Sequence, residues 1–179
     1  SSSASICGRA ECGDMPAFYP PFAGDLALIH AVAGRTAEAV ELAERGVRQA
    51  RSMLRLGRLS LITTHLGEAR LMAGDAAGAA EAGRLALELA HTHGERGNTV
   101  YAERLLGAIA AAGPAPDPAK ARAHLGRALV LAGELAMRPL AARCHLALGR
   151  VAGREGDAAT AAKHLAEAGA GSLTYFETV

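Results

Sequence analysis

The chain has 179 residues, a formal net charge of +1 and 50% hydrophobic residues. That charge balance argues against a nucleic-acid partner, which needs a concentrated basic face, and the longest uncharged apolar stretch, residues 105–112, is far below the ~18 residues that signal a membrane span. Forty-three alanines against three Phe, three Tyr and no Trp favour helices that pack by close approach instead of around large aromatic anchors.

In chain order, residues 1–19 read as an irregular N-terminal tail that opens on small polar residues (Ser1 to Ala4) with no secretory signal. Because the sequence begins at Ser1 and not at Met, we expect a piece processed or excised from a larger protein. Cys7 and Cys12 fall in this tail, with Cys144 far downstream; an odd count of this kind is not a disulfide framework and favours a reducing, cytoplasmic setting. Helix-period apolar patterns then predict four helix pairs, at 22–33 with 36–56, 58–73 with 76–93, 98–112 with 118–136, and 138–155 with 158–168. From Gly169 the chain is expected to fray, which gives a repeat domain over 20–169 and a C-terminal tail over 170–179. Heavy use of Ala, Gly and Arg, with only Lys120 and Lys163 as lysines, points to a GC-rich bacterial source.

Two landmarks recur through the pairs. Leu26-Ala27, Leu66-Gly67, Leu106-Gly107 and Leu148-Gly149 are spaced by 40, 40 and 42 residues, and Ala39, Ala79, Ala121 and Ala161 by 40, 42 and 40. Both irregular steps trace to one insertion, in Gly113-Pro114-Ala115-Pro116-Asp117-Pro118, where a turn tolerates it. Gly34, Gly74 and Gly156 each follow the first landmark by seven residues, as helix C-terminal glycines. Asp75, Asp157 and Asp117-Pro118 supply caps for the next helix, with Thr36 in that role in the first pair. The small residues inside helices let neighbouring helices approach, and stacked pairs complete each other's cores. The expected fold is all-α, an α-α superhelical solenoid of about four pairs.

This pattern resembles the tetratricopeptide repeat. The likeness rests on Leu66-Gly67 with Gly74-Asp75, Ala79 and Ala86, and on Leu148-Gly149 with Gly156-Asp157, Ala161 and Ala168. The period exceeds the ~34 residues of the standard repeat, as in longer-helix variants from bacterial signalling proteins. Over residues 58–168, Gly94-Glu95-Arg96-Gly97-Asn98, Ala102-Glu103-Arg104-Leu105-Leu106-Gly107, Met137-Arg138-Pro139-Leu140 and Cys144-His145-Leu146 are similar to the C-terminal repeats of bacterial proteins that join a class III cyclase domain to an AAA-type ATPase domain. The resemblance implies a sensory or scaffolding arm of a multidomain signalling protein. The catalytic motifs of both enzyme domains are absent from these residues.

The first helix of each pair is expected to line a concave groove. In the fourth pair the buried stripe is His145, Leu148, Gly149 and Ala152, which leaves Arg143, Arg150 and Arg154 on another face. Tyr101 and Arg104 take a comparable face one repeat earlier, and Thr64 and Glu68 the one before. Guanidiniums in a row suit carboxylates on an acidic peptide or helix, although a charged stripe is more often simply the solvated face of an amphipathic helix. His91 and His93 stand on different helix faces, His30, His65, His124, His145 and His164 are scattered, and neither cysteine spacing nor a glycine-rich loop supports a metal, phosphate or dinucleotide site. Glu177-Thr178-Val179 resembles a PDZ ligand at the level of chance.

These readings give no catalytic residue, no metal and no cofactor. The expected function is a protein-interaction scaffold without enzyme activity that takes an acidic protein or peptide segment in its groove. Two other readings stay open: a small-molecule-sensing arm with an apolar pocket beside residues 105–112, and a self-association module that forms a homo-oligomer. No nucleic-acid or membrane partner is expected.

Overall fold

Alanine-rich segments bounded by glycine and aspartate fold locally as helices, and their tertiary arrangement follows from where the small residues fall. A computed structural model describes residues 19–52, 58–112 and 115–176, with side chains described over 22–52, 58–112 and 115–170. The expected tail over 1–18, Cys7, Cys12, residues 53–57, the Gly113-Pro114 step and the terminal Glu177-Thr178-Val179 lie outside the described residues. Among the described residues there are eight helices and no strand: α1 (Tyr19–Val32), α2 (Thr36–Ser52), α3 (Leu59–Met72), α4 (Ala76–Thr92), α5 (Arg96–Ala112), α6 (Pro118–Glu134), α7 (Arg138–Arg154) and α8 (Ala158–Phe176). The expected all-α helix-pair repeat is what the chain adopts.

The turns inside the pairs use one device. Gly74 (φ 84°) enters the left-handed region and donates to Leu71 O at 3.1 Å, and Asp75 N donates to Arg70 O at 2.9 Å. This closure satisfies carbonyls that the helix end leaves without an intrahelical donor. Gly34 and Gly156 repeat it at φ 81° and 82°. Asp75, Asp117 and Asp157 each cap the following helix by accepting from the N–H three residues on, at 2.8, 2.9 and 3.0 Å. Thr36 departs from its expected role: it is the first residue of α2, and Arg35 stands where Asp75 stands in the next pair. The last helix also departs from expectation. It continues past Gly169 and Gly171 to Phe176, because each interior glycine costs a helix only ~1 kcal/mol and does not by itself end it.

Consecutive helices pack as pairs α1–α2, α3–α4, α5–α6 and α7–α8. The contacts group into two units that divide between His93 and Gly94. In unit 1, α3 also packs on α1 and α2; in unit 2, α7 packs on α6 and, less extensively, on α5. Both sequence landmarks are interior: Ala27, Gly67, Gly107 and Gly149 are buried, as are Ala39, Ala79, Ala121 and Ala161. The core is built mainly from alanine, with Ile62, Leu105 and Leu125 among its largest fully buried side chains. Each such aliphatic side chain contributes roughly 1.5–3 kcal/mol relative to exposure.

Candidate partner-binding site

The seven side chains that the sequence places on a groove face have different fates. Thr64 is fully buried and donates its hydroxyl to Ser60 O at 2.9 Å on its own helix, so it offers nothing to a partner. Glu68 is buried as well. The residues of α3 from 59 to 69 are buried almost all round, with only Leu61 half-buried, so no open stripe runs along that stretch of the helix. These two positions are therefore withdrawn from the candidate site.

In unit 2, Tyr101 and Arg104 project from α5 and are half-buried, while Arg143, Arg150 and Arg154 on α7 are exposed. Tyr101 packs against the cluster of Val100, Ala128, Ala132, Leu140 and Cys144. The same register position that holds Arg104 on α5 holds Gly24 on α1, where a β-carbon would come within 2.9 Å of His65 Nδ1 on α3. Arg104 thus sits where one first helix of a pair meets the next. Burial, then the neighbouring charge of Arg143, pushes its pKa down to about 10, so it stays protonated at neutral pH. Among the described residues, Arg143 and Arg150 form no ion pair. Arg154 donates to Ala111 O at 2.7 Å.

Arg154 also borders a cleft of about 460 Å³ whose walls include Ala111, Ala112, Pro116, Pro118 and Val151. Glu155, which is paired with Arg122, lines it as well. Ala111 and Ala112 bring the end of the 105–112 segment to this cleft.

The structure brings together residues that sequence reasoning left scattered. Glu103 on α5 is buried, and it accepts from Arg127 Nε at 2.8 Å and Arg127 Nη2 at 3.1 Å, with His124 Nδ1 2.6 Å from its Oε2. The hydrogen bond to Glu103 holds the Arg127 guanidinium more firmly protonated. In the next pair, His145 and His164 meet head on, with Nδ1 atoms 2.9 Å apart and ring centroids 5.2 Å apart. Burial and then the neighbouring His164 lower the His145 pKa, so the neutral ring is favoured. His145 is half-buried at the pair edge and not in the buried stripe where the sequence places it; Leu148, Gly149 and Ala152 are buried as expected. The two contacts are equivalent. Glu103 and His145 lie four residues before the small landmark glycine, and His124 and His164 three residues after the landmark alanine. The antiparallel register of Gly107 on Ala121, and of Gly149 on Ala161, is the signal from which both follow.

Cys144 is fully buried, and burial raises its pKa to about 11, so the thiol is protonated and shielded. Among the described residues no group of three or more His, Cys, Asp or Glu side chains has an arrangement fit to hold a metal ion, and no helix is long and apolar enough to cross a membrane.

Comparison with protein-family models finds no match, and comparison with curated proteins finds none. Among solved structures, BtubC (BKLC) from P. vanneervenii is similar in fold, with a TM-score of 0.72 over 97% of this chain and 71% of that one, at 17% identity. This chain is an all-α helical repeat protein. Identity this low carries the fold alone, and the binding chemistry rests on the residues above.

Proposed function

We propose that the chain is a tetratricopeptide-type interaction module, and that the α5–α7 face of unit 2 takes an acidic segment of a protein partner. It would serve as a regulatory arm of a larger bacterial signalling protein. The observation that carries the reading is Arg143, which is exposed with no ion pair among the described residues and whose charge, after burial, lowers the pKa of the half-buried Arg104 on α5. Arg150 extends the same charge two helical turns along α7. A carboxylate seated at Arg143 is well held, since charge-assisted hydrogen bonds from guanidinium to carboxylate are among the strongest. Tyr101 adds an aromatic wall.

The test is fluorescence anisotropy with a labelled Glu-rich helical peptide and a Lys-for-Glu control. Binding of the acidic peptide alone, weakened at least ~10-fold by Arg143→Glu with Arg150→Glu and by added salt, supports the reading; each such pair near a surface is screened by salt. Equal binding of both peptides, or indifference to the substitutions, removes it.

A second reading has its own observation. The apolar cleft lined by Ala111, Pro116, Pro118 and Val151 with Arg154 at its rim suits a small apolar acid. Thermal-shift screening with short-chain carboxylic acids tests it, because a ligand selective for the folded state raises Tm, and Arg154→Ala must abolish the shift.

A further inference from the structure

Inside each unit, the first helix of the second pair is covered on one side by the first pair. Ile62 on α3 shares a buried cluster with Ala23, Ala27, Leu42 and Ala43, and Ala69 shares one with Ala31 and Ala39. In unit 2, Cys144 on α7 is buried with Val100, Ala128 and Ala132, and Val151 with Ala121 and Leu125. The 40-residue step carries Ile62 back to Phe22 and Ala69 back to Ile29. Ile62 and Ala69 are 2% and 0% exposed, whereas Phe22 and Ile29 are 52% and 57% exposed. Among the described residues, α1 therefore shows to solvent the side on which the repeat seats a preceding pair.

The complementary break occurs on α8. Leu125 on α6 is 0% exposed and lies in one cluster with Leu148 and Val151 of α7. Its equivalent 40 residues on is Leu165. Leu165 closes over Gly149 of its own pair, as Leu125 closes over Gly107, yet it remains 47% exposed. The difference is the following pair, which α6 has and α8 lacks among the described residues.

The two open surfaces are the two halves of a joint the chain already makes between α6 and α7. By register, Leu148 corresponds to Leu26 and Val151 to Ile29. We propose that α8 of one copy packs on α1 of a second copy, head to tail, with Leu165 seated against Leu26 and Ile29 as Leu125 is against Leu148 and Val151. Phe22 takes the place of Cys144 in this joint, with the larger side chain covering the adjacent alanine-rich turn of α8 that contains Ala168. The contact is heterologous, so each copy keeps one surface open and the assembly grows with concentration unless a ring closes. The joint does not depend on the acidic-segment reading, since none of its residues lies on the arginine face.

Sedimentation velocity across a dilution series tests it. The unaltered chain is expected to shift beyond dimer as concentration rises. Phe22→Asp with Ile29→Asp removes one surface and Leu165→Asp the other. Both sets lie at exposed positions, so circular dichroism should be unchanged and each variant alone monomeric. Leu165→Gln serves if the aspartate unfolds α8. Mixed in equal amounts, the two variants retain one intact surface each and must form a one-to-one dimer that grows no further. Arg143→Glu with Arg150→Glu must associate like the unaltered chain. A chain that stays monomeric at all concentrations overturns the joint. So does self-association of the Leu165 variant alone, which would mean that α1 pairs with α1, or a mixture that fails to pair.

Discussion

Gly107 on α5 lies directly beneath Leu125 on α6: a β-carbon at residue 107 would fall 2.6 Å from Leu125 Cγ and 3.3 Å from Ala121 O. No real β-carbon tolerates the first distance, so the pair is closed at a separation that only glycine permits. Gly149 and Leu165 repeat the arrangement more loosely, at 3.2 Å. In the first pair the equivalent positions hold Ala27 and Ala43, both fully buried. Large over none in one pair and small over small in the other are two solutions to one interhelical spacing.

Gly107→Ala is therefore expected to destabilise unit 2. Overpacking of a filled core costs about 1–3 kcal/mol, and alanine's helix propensity returns only ~1 kcal/mol of it. Gly126, on α6 with open space around it, is the control: Gly126→Ala should stabilise by roughly 0.5–1 kcal/mol. Urea melts of both variants check the contrast. Adding Leu125→Ala to Gly107→Ala should show a favourable coupling in a double-mutant cycle.

Ala136 ends α6 in the left-handed conformation that Gly34, Gly74, Gly94 and Gly156 adopt elsewhere, at φ 53°, with Met137 N donating to Ala132 O at 2.8 Å. A β-carbon in this region costs about 1–2 kcal/mol. Ala136→Gly should raise stability by roughly 1 kcal/mol after the entropy that glycine adds to the unfolded chain. A fall in the thermal midpoint would show that the turn relaxes without strain.

Glu103 accepts two hydrogen bonds from Arg127 and lies beside His124. Glu103→Gln keeps the shape and removes the charge. Because Arg127 is half exposed at 55%, water replaces part of the loss, and we expect about 1–2 kcal/mol, near the low end for a hydrogen bond to a charged group. Arg127→Ala should cost a similar amount, and the two changes together less than their sum; strict additivity in denaturant melts would show that the pair is not coupled.

Asp117 and Asp157 cap α6 and α8, and hydrogen bonds hold their pKa values below 3.8: backbone N–H of Lys120 first for Asp117, and the Thr160 side chain first for Asp157. The unfolded chain therefore binds more protons in the window between the folded value and 3.8. Stability from these caps is present above that window and falls as pH drops through it. Asp157→Asn keeps a capping side chain without a titrating group. Its thermal midpoint should lose less on acidification than that of the parent chain, and identical acid limbs would contradict the assignment.

Much of this architecture is legible along the chain. The helices, the caps at Asp75, Asp117 and Asp157, the left-handed glycines and the recurrence of small landmarks such as Gly107 and Ala121 all follow from local backbone preference and from spacing. Those are properties of a residue and its near neighbours, so they can be read without coordinates. Thr36 and the end of α8 escaped because a weak cap or an isolated glycine, such as Gly169 or Gly171, shifts a boundary by less than other local terms decide.

The side faces of the helices were settled only in three dimensions. Periodicity tells which residues share a stripe, but a helix in a stack has more than one neighbour, and the number of sides covered depends on the pairs before and after it. Hence Thr64 and Glu68 are interior while Phe22 and Ile29, the counterparts of Ile62 and Ala69, stand in solvent. Glu103 with His124 and His145 with His164 likewise meet only because two antiparallel helices lock at a small residue, which brings side chains about twenty positions apart within a hydrogen bond of each other.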